Sequence, residues 1–198
     1  SAPSCFDNHQ NQGETEVDCG GPNCASCELK HLSPLRVGSI KYFGAGENQT
    51  VVTAEIQNPN PNYGAQSFSY SMDLFDKNNN LIKTLSGASF SYAGKIKYIL
   101  EPANLNYKNI DQGKLTISDV VWKNKNEWSE PLIQVRNIQT ELNEPVGNVK
   151  VKGFFTNNNS FPLREVRVIA FLTNKNNLDV TASQTVLENI GAYEEKSF

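Results

Sequence analysis

From residue 35 onward, apolar and polar residues alternate in short runs, and the runs are separated by clusters of Gly, Pro and Asn. A period of two places successive side chains on opposite faces, so the pattern predicts half-buried strands at 35–43, 50–57, 67–76, 81–85, 95–100 and 114–123. In SFSYSMDLFD, the residues Phe68, Tyr70, Met72 and Leu74 alternate with Ser and Asp, so one face is buried and the other wet. FGAGEN, NPNPNYGA, DKNNN and SYAG supply residues suited to positive or preset φ at the turns. No segment keeps a helical period for ten residues.

The pattern then recurs in the same order. VVTAEIQNPNPN resembles VKVKGFFTNNNSFP, and YSMDLFDKNNNLI resembles VRVIAFLTNKNNLDV. Strands of the second copy are expected at 132–141, 149–156, 165–173, 178–187 and 193–198. The reading is an all-β chain: a small N-terminal module over residues 1–31, a β-sandwich over 32–129 and a second over 130–198. The first copy continues to KLTISDVVWKN, whereas the second reaches Phe198 where that strand is due. Either the boundary of the chain falls inside the repeat, or a strand from another subunit completes the sandwich along an unpaired edge.

Composition narrows the partners. A formal charge of −3 and a pI near 5.5 give no basic field, which argues against nucleic acid and anionic lipid. No apolar run approaches 18 residues, so no membrane span or signal peptide is expected. All four cysteines, Cys5, Cys19, Cys24 and Cys27, fall in the first 27 residues, which predicts disulfides and an oxidising, extracellular compartment. Three pairings are open. Two acceptor sequons, at Asn48 and Asn158, fit an exported protein.

Leu74, Phe75 and Asp76, after the preceding IQNPN, resemble the signature of the FxLYD domain, with Met72 in place of the first aromatic. That resemblance implies a sandwich akin to immunoglobulin, CARDB and late-embryogenesis-abundant-like modules of prokaryotic surface proteins. It implies nothing about activity. The second copy keeps Phe171 and Leu172 but has Thr173 in place of Asp. The N-terminal segment resembles a DCGG-type cysteine-rich module of secreted and surface-anchored bacterial proteins. Cys5, Asp7, Asn11, Glu14, Val17, Asp18, Cys19, Gly20, Gly21, Cys24 and Cys27 fit it. Asn23 is an insertion, and Asn8 replaces a Gly, a mild departure because Asn tolerates left-handed geometry.

Calcium takes six to eight hard oxygens, and Asp7, Asn11, Glu14 and Asp18 offer such oxygens in a segment too short for an apolar core. These four are the expected ligands, with Glu16 as a possible addition; the bland alternative is that the acids solvate a disulfide knot and cap its turns. It is not an EF-hand, since Gln12 stands where the loop requires Gly. Zinc on the thiols is the weaker alternative, because Cys24 and Cys27 form one close pair while Cys5 and Cys19 lie apart.

His9 and His31, the two histidines, are expected to be inert, and no hydrolase elbow, phosphate loop, dinucleotide fingerprint or zincin helix is present. Glu194 and Glu195 fall on opposite faces of a strand, a poor acid-base pair. An enzyme is not expected. Trp122 is expected in the core, and Trp128 as a wedge between the sandwiches. The function expected from these features is that of an extracellular structural or adhesive spacer with a calcium-ordered head. Its partners would be other surface proteins, copies of itself or glycans. The alternatives are a filament subunit completed by strand exchange and a carbohydrate-binding module.

Overall fold

The computed structural model describes residues 4–143 and 148–198. It is an all-β chain behind a disulfide-linked N-terminal module. A 3-10 turn, Cys27–His31, leads into β1 (Arg36–Gly46), β2 (Gln49–Gln57), β3 (Tyr63–Phe75), β4 (Leu81–Ser91), β5 (Ile96–Ala103) and β6 (Gln112–Asn124). The second copy supplies β7 (Ile133–Asn143), β8 (Asn148–Asn157), β9 (Leu163–Thr173), β10 (Asp179–Ile190) and β11 (Glu195–Ser197).

In the first copy the sheets run β1-β2-β5 and β4-β3-β6, all neighbours antiparallel. Between them Phe68, Tyr70, Met72 and Leu74 of β3 meet Val52, Ala54 and Ile56 of β2, and all seven are buried. Trp122, expected in the core, packs partly buried against it. The strands expected from periodicity are present and differ mainly in extent: β3 begins at Tyr63 rather than at residue 67, β11 covers only Glu195–Ser197 of the expected 193–198, and β4 runs on to Ser91 rather than ending near residue 85. Its inner face there is Gly87, where a Cβ would collide with the Tyr70 ring. The large side chain of one strand requires a small residue on its neighbour, and that erases the apolar alternation.

The second copy repeats the order, with β7-β8-β11 and β9-β10. The two Asn-rich turns superpose in register: Asp76 N–H donates to the Asn80 carbonyl and Asn174 N–H to the Leu178 carbonyl, at 3.0 and 2.9 Å. Counting back from them, Phe68, Tyr70, Met72 and Leu74 correspond to Val166, Val168, Ala170 and Leu172, all half-buried and the first three smaller. In the first copy β3 pairs on both edges, with β4 and β6; among the described residues β9 pairs with β10 alone.

The copies touch through outer faces. Phe43 and Leu100 of the first form a cluster with Ala182, Ile169 and Phe171 of the second, and Tyr98 meets Phe171 edge-on with centroids 5.0 Å apart. Lys41 Nζ donates to Asp179 Oδ2 at 2.6 Å across the same junction, and that pairing raises the Lys41 pKa. Trp128, expected as a wedge holding the two sandwiches together, packs instead within the first copy. Its ring stacks on Tyr92 at 4.4 Å and meets Phe90 edge-on, so it belongs to the first copy, whose Gly64 makes room for it.

Candidate functional site

The N-terminal module is built around two interleaved disulfides, Cys5–Cys24 and Cys19–Cys27. Interleaving links four short stretches into one knot, and the backbone between them must turn sharply. Asn8, Gln12, Gly13, Asp18, Gly20 and Gly21 all have positive φ. The Asn at position 8 thus adopts the left-handed geometry expected of a Gly substitute. At Gly21 even an alanine is barred, since its Cβ would run into the Gly13 carbonyl. Gly21 therefore follows from close backbone approach inside the knot, and Gly20 from the Thr15 side chain packed against it.

The four expected ligand residues come together. Asp18 Oδ1 accepts the N–H groups of Asp7 and Asn8 at 2.9 and 3.0 Å, and Glu14 Oε2 accepts those of Asn11 and Asp18 at 3.0 and 3.1 Å. Asn11 Nδ2 donates to Asp7 Oδ2 at 2.9 Å. That amide, with the backbone N–H groups of Ser4 and His9, holds the Asp7 carboxyl below its ordinary pKa. The carboxylates thus cap turns of the knot, as the plainer of the two sequence readings has it.

Two details go beyond capping. Glu14 is only 7% exposed, makes no ion pair among the described residues, and directs its second oxygen at the Cys24 sulfur, 3.1 Å away. That sulfur is in a disulfide and has no proton to give. Asn11 Oδ1 is buried with no hydrogen-bond partner. A buried anion without a counter-charge and an orphaned carbonyl oxygen in one knot both fit a hard cation. The thiolates that zinc would need are consumed by the disulfides, so the groups formed by Glu14 with Cys5 and Cys24, and by Glu16 with Cys19 and Cys27, do not make a zinc site. Glu16 is instead paired with His31 at 3.0 Å, which gives that histidine a structural role in fastening the 3-10 turn to the knot.

A second constellation escaped the sequence reading. Asn58 and Asn60, at the end of β2, are buried and form a latch. Asn58 Nδ2 donates to the carbonyls of Tyr63 and Tyr92 at 2.8 and 3.1 Å, while its Oδ1 accepts both the backbone and side-chain N–H of Asn60 at 3.0 Å. Asn60 then reads Ser33 as a strand partner would, accepting its N–H at 2.9 Å and donating to its carbonyl at 2.8 Å. The second copy repeats every bond. Asn157 donates to Phe161 and Gly191, both at 2.8 Å, and Asn159 grips Leu132 at 3.0 and 2.8 Å. Ser33 lies just after the N-terminal module and Leu132 just after the first copy, so the same device holds both connecting segments. The recurrence of Asn-x-Asn at the same place in both copies was the available signal.

No family model matches this chain, and no curated protein is significantly similar to it. Among the described residues no helix is long and apolar enough to cross a membrane.

Proposed function

We propose that the chain is an extracellular cell-surface spacer with an adhesive or structural role, acting mechanically rather than as a catalyst. The observation that carries this reading is the duplicated asparagine latch, which fixes the segment leading into each copy and so supports a defined orientation of the units in series. The interleaved disulfides support an oxidising compartment. The resemblance of the knot to DCGG-type modules and of the strands to FxLYD domains supports a bacterial surface setting. A second reading, a filament subunit, is favoured by the edge of β9 that has no strand partner among the described residues, along which an added strand from any polypeptide would restore the pairing that β3 enjoys. One experiment addresses both. A membrane-impermeant reagent should label the chain on intact cells, and the labelled material should then be sized with hydrogen exchange on β9. Monomers support the spacer, and polymers with protected β9 amides support the filament. Failure to label intact cells sinks both.

Calcium is the cation proposed for the head, held by Asn11 Oδ1 and the Glu14 carboxylate, with Asp7 and Asp18 close by. Bound there, it would neutralise the buried acid and order the knot. Calcium titration with calorimetric detection should give one saturable site that is lost in Glu14→Gln and weakened in Asp18→Asn. No heat above dilution in the unmodified chain would overturn the assignment.

A further inference from the structure

A groove of about 600 Å³ runs between the two copies, inside the ~300–1,000 Å³ range of small-molecule sites. One wall is the β4–β5 side of the first copy; the other is the outward face of β9, with the start of β7 at one end. Four of the chain's exposed large apolar residues open into it: Phe90, Ile96, Tyr98 and Ile133, between 36% and 57% exposed. Apolar surface gathered in a concavity, rather than scattered, marks a place where something docks.

The charges in the groove are unbalanced. Lys95 pairs with Glu130, and Arg167 with Glu165, both at 2.9 Å. Lys97 has no such partner among the described residues; its Nζ rests 3.6 Å from the centroid of the Phe90 ring. Burial first, and then the neighbouring Arg167, lower its pKa to about 8. Tyr70, at the same place, spends its hydroxyl on Glu101, and burial raises its pKa. An anion between Lys97 and Arg167 would relieve two like charges at once. A neutral head would leave Lys97 unpaired, and a cationic head would add a third repulsive charge. Tyr92 and Trp128 already stack on each other, so a flat sugar does not find a free aromatic platform there.

We propose that this groove is a binding site for an amphipathic carboxylate, with the anionic head at Lys97 and Arg167 and the apolar tail along Phe90, Ile96 and Ile133. The site is independent of the calcium head and of the surface role. Its test is calorimetric titration of the full chain with monomeric decanoate, alongside decanol and decylammonium as uncharged and cationic probes. Decanoate should bind at one site about tenfold more tightly than decanol, the worth of one charge-assisted pairing. Lys97→Met should remove that preference, while Lys97→Arg should keep it. Near the Lys97 pKa of about 8, decanoate binding should also take up a proton, because the carboxylate favours the ammonium form over the amine. Lys95, Glu130, Glu165, Arg167, Tyr70, Tyr92 and Tyr98 also face the groove, and Glu101 adjoins it through Tyr70, so the proton uptake is assigned by its loss in Lys97→Met. Equal affinity for decanoate and decanol, no saturable binding below the micelle concentration, or an unchanged preference in Lys97→Met would each overturn the proposal.

Discussion

Asn58→Ala is expected to destabilise the first copy by about 3 kcal/mol, enough to bring a marginal sandwich close to unfolding. The figure follows from what is left behind. The substitution strands the Tyr63 and Tyr92 carbonyls and the Asn60 N–H groups, most of them in a buried site, and each orphaned group costs about 1–3 kcal/mol. Asn60 also loses the oxygen that orients it, so its grip on Ser33 should loosen. Chemical denaturation gives the magnitude, and hydrogen exchange at Ser33 separates the latch from a general loss of packing. Asn157→Ala provides the internal comparison in the second copy, with Leu132 as the reporter amide. If Asn58→Ala changes the midpoint no more than a surface substitution such as Asn126→Ala, the latch has no energetic importance.

Opening the Cys19–Cys27 disulfide by Cys19→Ser is expected to unfold the N-terminal module while leaving both copies intact. The bond closes an eight-residue separation and its partner Cys5–Cys24 closes nineteen; in the chain-entropy picture each such loop contributes about 3 kcal/mol. The module has little else to hold it, since among its described residues the buried apolar side chains amount to Cys19 itself. Six positive-φ residues are released at the same time, which favours the open state further. Proteolysis should then cut within residues 4–31 and spare the strands, and the mass of the protected fragment reads the outcome. A module that still resists protease after this substitution would mean that the remaining disulfide and the acid network suffice.

Much of the fold was legible because a sheet with one buried face writes a period of two into the chain, as Phe68 to Leu74 do on β3. Where one side chain intrudes on its neighbour the signal fails: Gly87 yields to Tyr70, and β4 loses its alternation in the stretch where it is still a strand. The asparagine latch was hidden for a different reason. Asn in NPNPN and NNNS carries the same propensity whether it caps a turn in water or bonds four groups in a buried site, and only the three-dimensional partners separate the two. The disulfide pairing was equally silent, because spacing left three pairings open. Trp128 misled because its place between the repeats says nothing about which side its ring turns to, and the space above Gly64 decided that. For the head, the residue types pointed to oxygen chemistry, while the orphaned Asn11 Oδ1 and the uncompensated Glu14 became visible only with coordinates.

The latch also dictates how the chain would respond to being pulled. A load applied at the N-terminal head reaches Ser33 before it reaches β1, and there it meets two amide contacts lying side by side rather than the long ladder of a strand. At Leu132 the clasp also includes the Asn158 N–H on the Leu132 carbonyl at 2.9 Å, and a load passing from the first copy to the second is shared with the Phe43–Leu100–Ala182 cluster and the Lys41–Asp179 pair. Each connecting segment is thus a short, separately releasable clasp in series with much stronger sheets, so stretching should begin with small, recoverable steps at the clasps before any strand is torn from its neighbour.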